Sequence, residues 1–202
     1  ERNWSLCRLC RAFISDGQLS SISTMLIYKD IFSGDELVSD SFPMKVADEI
    51  ILEFEGKYCV RKEGEITLAG ANPSAEEMDE GTDEQVERGI DIVLNHQLQD
   101  MTSVYGEAKA FKDFIKEYMK KLVAKLQEQG KSDAELKEWK TKMQGWVVAL
   151  MKKDRFKDLQ FFAGAGENAF DGMIAILEYR DFGGEEKPIM MYIKAGLEEE
   201  KC

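Results

Sequence analysis

The stretch from Glu107 to Lys157 decides the fold. It reads EAKAFKDFIKEYMKKLVAKLQEQGKSDAELKEWKTKMQGWVVALMKKDRFK. Its apolar residues recur every three or four positions, the spacing that puts side chains on one face of an amphipathic helix. The stretch therefore predicts two helices, each with one apolar stripe. The first stripe consists of Ala108, Phe111, Ile115, Tyr118, Met119, Leu122, Val123 and Leu126, and the second of Leu136, Trp139, Met143, Trp146, Val147, Leu150 and Met151.

The connection between the two helices is only a few residues long. Gly130 is typical of the position just past a helix end, where glycine adopts left-handed backbone angles at little steric cost. Ser132, with Glu135 three positions later, has the spacing of a capping box, which marks a helix start. So short a connection allows only an antiparallel pair. We therefore expect residues 107–157 to form a two-helix unit, called the hairpin below.

Charge is divided unevenly along the chain of 202 residues, whose formal net charge is −12. The hairpin has 14 lysines and arginines against 8 acidic residues, a net charge of +6, which leaves −18 for the remainder. Such a dipolar surface steers encounters with charged partners. The exposed lysines are not interleaved with aromatic residues, so we expect no specific nucleic-acid site. No apolar run approaches the roughly 20 residues of a membrane span.

Runs with strand character lie on both sides of the hairpin, which indicates an α+β domain. We expect Glu49–Glu55 and Tyr58–Lys62 to pair as a β-hairpin through Gly56 and Lys57. A second antiparallel pair is expected around the turn at residues 181–184. The strands of that second pair are Met173–Tyr179 and Pro188–Lys194, and the remaining predicted strands are Met25–Ile31, Asp91–Leu98 and Leu159–Ala163.

Three segments are expected to lack regular structure. Ser33–Glu36 is predicted to be a turn, and Ser39–Pro43 an irregular stretch. Residues 76–87 contain seven acidic residues and no basic one. Such a run buries too little apolar surface to offset its ordering entropy, so it is predicted to be a mobile loop.

The acidic loop is also the candidate region for a cation. Calcium prefers several carboxylate and carbonyl oxygens at fixed positions. A mobile loop supplies the oxygens without the geometry, so any calcium binding is expected to be weak, and each individual acid is better explained as a solvated surface charge. The candidate ligands are Glu76, Glu77, Asp79, Glu80, Asp83 and Glu84.

Residues 1–24 differ in character from the rest of the chain. They have scattered arginines and no uninterrupted apolar core of signal-peptide length. The pair Cys7 and Cys10 has the spacing of half a zinc site or of a redox motif, but a single pair is weak evidence. We expect an extension, such as a tag or a leader, and take Met25 as the start of the domain.

Catalytic motifs are weak. Gly164-x-Gly166-x-x-Ala169 resembles a dinucleotide fingerprint, but a strand rather than a helix is predicted after it, so the glycines are interpreted as a turn. The sequence has one histidine, His96, which leaves only Cys59 as its possible partner for nucleophilic catalysis. The alternative to a binding protein is a thiol-based antioxidant that acts through Cys59 or Cys202. The terminal Cys202 is also expected to form an intermolecular disulfide in a homodimer.

Several segments, in order from Met25 to the end, resemble the translationally controlled tumour protein family, also called fortilin or histamine-releasing factor. The Asn-Pro-Ser-Ala-Glu signature before an acidic loop is the most specific of them. The matching segments are Met25-Leu-Ile-Tyr-Lys-Asp30, Gly34-Asp-Glu-Leu37, Ser39-Asp-Ser-Phe42, Ala71-Asn-Pro-Ser-Ala-Glu76, Gly89-Ile-Asp-Ile-Val93, Asn95-His96, Gln160-Phe-Phe162, Leu177-Glu-Tyr-Arg180 and Glu199-Glu-Lys-Cys202.

The resemblance implies one domain over residues 25–202. Its fold would be a β-tent like that of the small Rab GTPase chaperone, with a projecting antiparallel helical hairpin and a mobile acidic loop. The implied function is that of a non-enzymatic cytoplasmic adaptor without a cofactor, also found in the nucleus and secreted without a signal peptide. The implied partners are calcium, bound weakly, tubulin and microtubules, Ras-like small GTPases, and anti-apoptotic Bcl-family proteins. Histamine-releasing activity outside the cell is implied as well.

Three residues match family positions linked to the GTPase contact. Glu36 lies in the predicted turn before Leu37, and Lys116 lies on the first hairpin helix. Glu167 matches less closely, because the family has Phe-Phe-x-Gly-Glu where this chain has two additional residues after Phe162. Each of the three is equally consistent with a solvated surface charge, worth about 0–1 kcal/mol in an exposed ion pair.

Overall fold

The computed structural model describes residues 25–62 and 86–201. Helices and strands alternate irregularly along them, with most of the helical residues in the middle of the chain. The strands are β1 Leu26–Asp30, β2 Glu36–Ser39, β3 Met44–Ala47, β4 Ile51–Glu55, β5 Tyr58–Lys62, β6 Val86–Ile90, β7 Gln99–Asp100, β8 Gln160–Ala163, β9 Ala175–Asp181, β10 Glu186–Ile193 and β11 Leu197–Lys201; the helices are α1 Asp91–Asn95, α2 Thr102–Tyr105, α3 Ala108–Glu128, α4 Asp133–Leu150 and α5 Lys153–Phe156.

The predicted hairpin is formed by α3 and α4. Gly130 has a φ of 82°, which only glycine adopts without strain. The capping box is complete: the Ser132 hydroxyl accepts the Glu135 N–H at 3.4 Å, and the Glu135 carboxylate accepts the Ser132 N–H at 2.9 Å. Both apolar stripes face inward, and their most buried members are Phe111, Ile115, Tyr118, Leu122, Leu126, Leu136, Met143 and Leu150.

The strands form three sheets in the described part of the chain. One has the order β11-β1-β2, the second β3-β4-β10-β9-β8-β7, and the third is the pair β5-β6. All of these pairs are antiparallel. The α+β class with a two-helix hairpin is therefore confirmed.

The first sheet covers one face of the six-stranded sheet. The Tyr28 ring meets the edge of Phe54 at 5.6 Å between centroids, and Phe54 meets Tyr192 at 5.7 Å. The Tyr192 hydroxyl donates to the Leu37 carbonyl at 3.0 Å. Because burial alone raises the pKa of Tyr192 far above its usual value, this hydroxyl stays a donor at all ordinary pH values. The contact fixes β2 over the centre of the larger sheet.

The helices cover the opposite face, since neighbouring residues of a strand point to opposite sides of a sheet. Phe161 of β8 lies 5.1 Å from the Phe111 ring of α3 and 5.7 Å from the Phe156 ring of α5. Phe111 and Phe156 are 5.6 Å apart, which closes the triangle. Phe111 and Phe161 are fully buried. We call these three side chains the aromatic anchor, because they join both ends of the hairpin to the sheet.

The front half of the chain differs from the predictions in two places. The stretch Ser39–Pro43 is irregular as expected apart from Ser39, which ends β2, and its turn leads into β3, a strand that was not predicted. Strand β3 is only four residues long and largely exposed, so it offers too short a run for a strand pattern to be recognised. Glu49 was expected to open a strand, yet Asp48 and Glu49 form a tight turn with positive φ values of 49° and 65°.

The predicted β-hairpin through Gly56 and Lys57 is also wrong. Strand β4 pairs with β3 and β10, and β5 pairs with β6 instead. The predicted strand 91–98 is largely α1, which follows directly after β6. Asp91 connects the two elements, because its carboxylate accepts the N–H groups of Lys57 and Ile92 at 2.8 Å each. It thus links the first turn of α1 to the residue before β5.

Several predictions fall on residues outside the described ones. These are the extension 1–24 with Cys7 and Cys10, the candidate calcium ligands Glu76 to Glu84, and the disulfide cysteine Cys202. The predicted acidic loop reaches two residues too far, because Val86 and Glu87 already belong to β6.

A charged network joins α5 to the six-stranded sheet. The Glu178 carboxylate accepts from both Arg155 and Arg180, at 2.8 Å from Nη2 of Arg155 and 2.6 Å from Nε of Arg180. Arg180 donates onward to Glu53 at 2.9 Å. Burial favours a neutral Glu178, but the two guanidinium groups outweigh it and hold the pKa of Glu178 below its usual value. The network therefore stabilises the fold only while Glu178 is ionised.

Replacing the capping serine is expected to weaken the hairpin. Ser132→Ala removes the acceptor for the Glu135 N–H and should lower the free energy of unfolding by about 1 kcal/mol. Urea denaturation followed by circular dichroism measures the change. Ser103→Ala, at an exposed position within α2, is the matched control and should change the stability little. Equal losses in both variants would mean that the cap contributes nothing.

Removing the charge of Glu178 is expected to destabilise the protein in a pH-dependent way. Glu178→Gln should cost about 1–3 kcal/mol at pH 7, the range for hydrogen bonds to charged groups. The folded-state pKa of Glu178 is lowered, so its contribution is present above the unfolded-state pKa and lost as pH falls through the folded-state pKa. The difference in the free energy of unfolding between variant and parent, measured by urea denaturation, should therefore disappear under acidic conditions.

The exposed Glu186 on the neighbouring strand provides the control for this experiment. Glu186→Gln makes the same chemical change without breaking the network, so its stability should follow that of the parent at every pH. If the loss of unfolding free energy in Glu178→Gln stays constant down to acidic pH, the charge of Glu178 does not have the assigned role.

Candidate functional site

A groove runs along the outer side of the hairpin between α3 and α4. One part has a volume of about 450 Å³, with Ile115, Met119, Met143, Val147 and Val148 as its apolar lining. It continues past Met119 into a second part of about 290 Å³. Together they form what we call the hairpin groove. The lysines along its rim are Lys112, Lys116, Lys120 and Lys140.

The helical repeat of the sequence builds this groove. Ile115 and Met119 are one turn apart on α3, and Met143 and Val147 are one turn apart on α4. Ile115 and Met143 are buried in the core at the bottom of the groove, whereas Met119 and Val147 are only half-buried. Val148, 69% exposed, extends the apolar surface into solvent. Methionine side chains adapt their shape to what they contact, so the groove suits an apolar partner surface of varied shape.

The charges around the groove are of one sign. All four rim lysines are exposed, and none of them makes an ion pair within residues 25–62 and 86–201. Unpaired lysines next to an apolar floor are complementary to a segment that has both acidic and apolar residues. Lys116, predicted for the GTPase contact, is one of these rim residues.

Glu36 is placed differently from the prediction. It is the first residue of β2 rather than a turn residue, because the pairing of β1 with β2 continues to Lys29 opposite Glu36. The Lys29 ammonium lies 3.5 Å from its carboxylate and also contacts Glu200 of β11. Glu36 is therefore exposed, and its carboxylate is paired with Lys29.

The loop that contains Glu167 packs against the segment that contains Glu36. This loop follows β8, and a Cβ added at Gly164 or Gly166 would overlap the Asp35 carboxylate. The loop therefore closes directly on the residue before Glu36. The two glycines allow this close approach because they have no side chain. A short 3₁₀ turn, Ala169–Asp171, follows them. The interpretation of this motif as a turn agrees with the structure.

Lys116 is not brought together with these two glutamates. Lys121 of α3 reaches the same loop and contacts Asp171 at 3.1 Å. Lys116 is five positions earlier, so it points about 140° away around the helix. It faces the hairpin groove, and Glu36 and Glu167 lie on a different surface.

Sequence reasoning missed a buried polar pair beneath that surface. Asp30 and Tyr118 are each about 2% exposed. One Asp30 oxygen accepts the Ser33 N–H at 2.8 Å, whereas Oδ1 and the Tyr118 hydroxyl have no hydrogen-bond partner among the described residues. Burial raises the pKa of Asp30, and burial followed by the Asp30 charge raises that of Tyr118. No sequence signal marks this pair, because the two residues are far apart in the chain.

The residues considered for catalysis do not form a site. Cys59 is a half-buried free thiol on β5. His96 lies at the end of α1 against the Phe42 ring, and burial lowers its pKa. Its Nε2 has no hydrogen-bond partner among the described residues. Within the same residues, no group of three or more His, Cys, Asp or Glu side chains is placed to hold a metal ion.

Of the helices in residues 25–62 and 86–201, none is both long enough and apolar enough to span a bilayer.

Comparisons with known proteins agree with the resemblance drawn from the sequence. The translationally controlled tumour protein homologue of Trichinella pseudospiralis is 60% identical over 88% of this chain and 100% of its own length. The homologue of Caenorhabditis elegans is 56% identical with the same coverage.

Solved structures and a family model give the same result. The solution structure of the Caenorhabditis elegans protein superimposes with a TM-score of 0.68, at 55% identity, over 88% of this chain and 98% of that one. The Schizosaccharomyces pombe protein p23fyp gives 0.67 at 33% identity, over 88% and 99%. The model named Translationally controlled tumour protein matches residues 25–198, so this chain belongs to the translationally controlled tumour protein family.

Proposed function

We propose that this chain is a non-enzymatic binding protein whose hairpin groove takes up acidic, partly apolar segments of partner proteins. The observation that carries the proposal is the apolar floor of the groove inside a rim of unpaired lysines. Family membership favours a binding protein over an enzyme. Among the partners that the resemblance implies, tubulin is the one we assign to the groove, because microtubules have a strongly negative surface.

In this proposal, charge guides the encounter with the partner, and apolar contact holds the complex together. The hairpin has a net charge of +6, whereas the remainder of the chain has −18. A negative partner is thus attracted to the hairpin and repelled elsewhere, which orients the encounter. Contact of apolar side chains with Met119, Val147 and Val148 then slows dissociation, since burial of apolar surface contributes about 25 cal/mol per Å².

A second candidate function is the support of a Ras-like small GTPase at Glu36. It is favoured by the packing of the Glu167 loop against Asp35, which places two exposed glutamates on adjacent segments. An acidic group at a GTPase surface competes for the positive groups that hold the nucleotide phosphates. Binding of the nucleotide-free state shifts the equilibrium only by the difference in affinity between the two states.

Reversing charges on the groove rim is expected to abolish microtubule binding. The variant Lys112→Glu, Lys116→Glu, Lys120→Glu should co-sediment with microtubules at least about tenfold less at physiological salt, since steering and rim contacts are both lost. Its thermal stability should stay close to that of the parent, because all three side chains are exposed. Raising the salt concentration should weaken microtubule binding by the parent protein until it approaches that of the variant.

A control with the same change in net charge separates the groove from the charge of the whole protein. Lys57→Glu, Lys153→Glu, Lys157→Glu alters three exposed lysines outside the groove. It should bind nearly as well as the parent. A second variant, Val148→Asp, tests the apolar floor and should weaken binding without loss of stability. Equal losses in both triple variants would place the interaction outside the groove.

The GTPase candidate predicts a specific loss at Glu36. Glu36→Ala should reduce capture of a nucleotide-free Ras-like GTPase while it changes the melting temperature little, because the exposed pair with Lys29 contributes about 0–1 kcal/mol. Glu200→Ala removes the other carboxylate on Lys29 and is the matched control. It should leave capture intact. Lys116→Ala should leave it intact as well, and a loss there with none at Glu36 would contradict the assignment.

A further inference from the structure

A second cleft, separate from the hairpin groove, lies where the tip of the hairpin meets the sheet β11-β1-β2. Its volume is about 600 Å³, within the range of small-molecule sites. Lys125 and Gln129 at the end of α3 form one wall together with Lys131. Lys194 and Glu198, before and within β11, form the other. We call this space the tip cleft.

The lysines of the tip cleft are poorly neutralised. Lys131 and Lys194 make no ion pair within the described residues, and Lys125 reaches only the exposed Glu128, at 3.8 Å. Of the two acids that line the cleft, Glu49 is held by Lys142 at 2.7 Å. Hydrogen bonds to Glu49 and Glu138 raise the pKa of Lys142 to about 12, so that pairing persists at neutral pH. Glu198 is thus the one acid of the cleft lining without an ion pair among the described residues.

The remaining lining of the cleft includes several apolar side chains. Trp139 lines it with its half-buried indole ring, next to Leu126 of α3. Ile31 and Leu197 supply apolar surface from the opposite side. An aromatic ring beside three ammonium groups is complementary to a molecule that has both a planar apolar part and a phosphate.

We propose that the tip cleft binds a phosphorylated small molecule, whose phosphate lies among Lys125, Lys131 and Lys194 and whose planar part stacks against Trp139. Lysine binds phosphate as a point charge and tolerates several orientations. A phosphate among three lysines gains attraction from each of them.

Such a ligand would connect the hairpin to the sheet. Lys125 and Lys131 belong to the hairpin tip, and Lys194 belongs to the short 3₁₀ turn that precedes β11. A phosphate held by both sides restrains the tip relative to the sheet, whereas the aromatic anchor restrains only the opposite ends of the hairpin helices. The inference does not depend on the proposed function, because the tip cleft and the hairpin groove share no lining residue.

Calorimetric titration of the full chain with ADP tests the proposal, together with the resonance of the Trp139 indole N–H in a nitrogen–proton correlation spectrum. We expect saturable 1:1 binding and a shift of that resonance, assigned with Trp139→Phe. Pyrophosphate, which has no ring, should bind more weakly, as should inositol trisphosphate, the soluble equivalent of a lipid headgroup. Adenosine, which has no phosphate, should not bind measurably.

Variants that remove a positive or a negative charge from the tip cleft should change the affinity for ADP in opposite directions. Lys194→Gln and Lys131→Gln should each weaken ADP binding about fivefold, and Glu198→Gln should strengthen it by a similar factor, as expected for one unit charge at close range in water. Lys109→Gln, on the hairpin but outside the cleft, is the control and should change nothing. All four side chains are exposed, so the variants are expected to fold.

Several results would overturn the proposal. One is the absence of saturable binding of ADP. Another is a shift in affinity of the same sign for Lys194→Gln and Glu198→Gln, or an equal loss for Lys109→Gln. Binding of pyrophosphate or inositol trisphosphate as tight as that of ADP would remove the role of Trp139, and the proposal with it.

Discussion

Contact among Phe111, Phe156 and Phe161 is the interaction on which the rest of the structure depends. A two-helix unit with a four-residue connection has no core of its own, and isolated helices are marginal in water. Aromatic rings at centroid distances of 5.1–5.7 Å supply both buried area and preferred geometry. Because the three residues come from α3, α5 and β8, they fix both ends of the hairpin on one sheet face. The lysine-bearing sides of its helices are thereby turned to solvent.

Local structure could be predicted from the sequence where the signal itself is local. The period of the hairpin and the Ser132–Glu135 capping box depend on residues three or four positions apart, and both are confirmed. Strand pairing depends on distant residues, so the predicted pair of β4 and β5 was wrong. Strand β11 was not predicted at all, because Glu198, Glu199 and Glu200 are poor strand formers. Its pairing with β1 and the contact of Glu200 with Lys29 override that preference.

The candidate site shows the same limit. Lys116 could be placed on the exposed side of a helix from periodicity alone, but its position on a groove required the second helix. The pairing of Glu36 with Lys29 follows from the register of β1 and β2, which nothing in the local sequence specifies. The closing of Gly164 and Gly166 on Asp35 joins residues about 130 positions apart. Surfaces of this kind are properties of the tertiary structure, and sequence motifs indicate their residues one at a time.

Strand β11 has a consequence for how copies of the protein behave toward one another. Among the strands of residues 25–62 and 86–201 it is the outer one of its sheet, so one row of its backbone N–H and C=O groups has no strand partner within those residues. Three successive glutamates occupy this edge, and all are exposed. Two such edges brought side by side would juxtapose like charges, which opposes intermolecular sheet extension at neutral pH. The acidity of the strand thus protects a crowded solution of the protein from fibre-like association, a protection that weakens as the carboxylates become protonated.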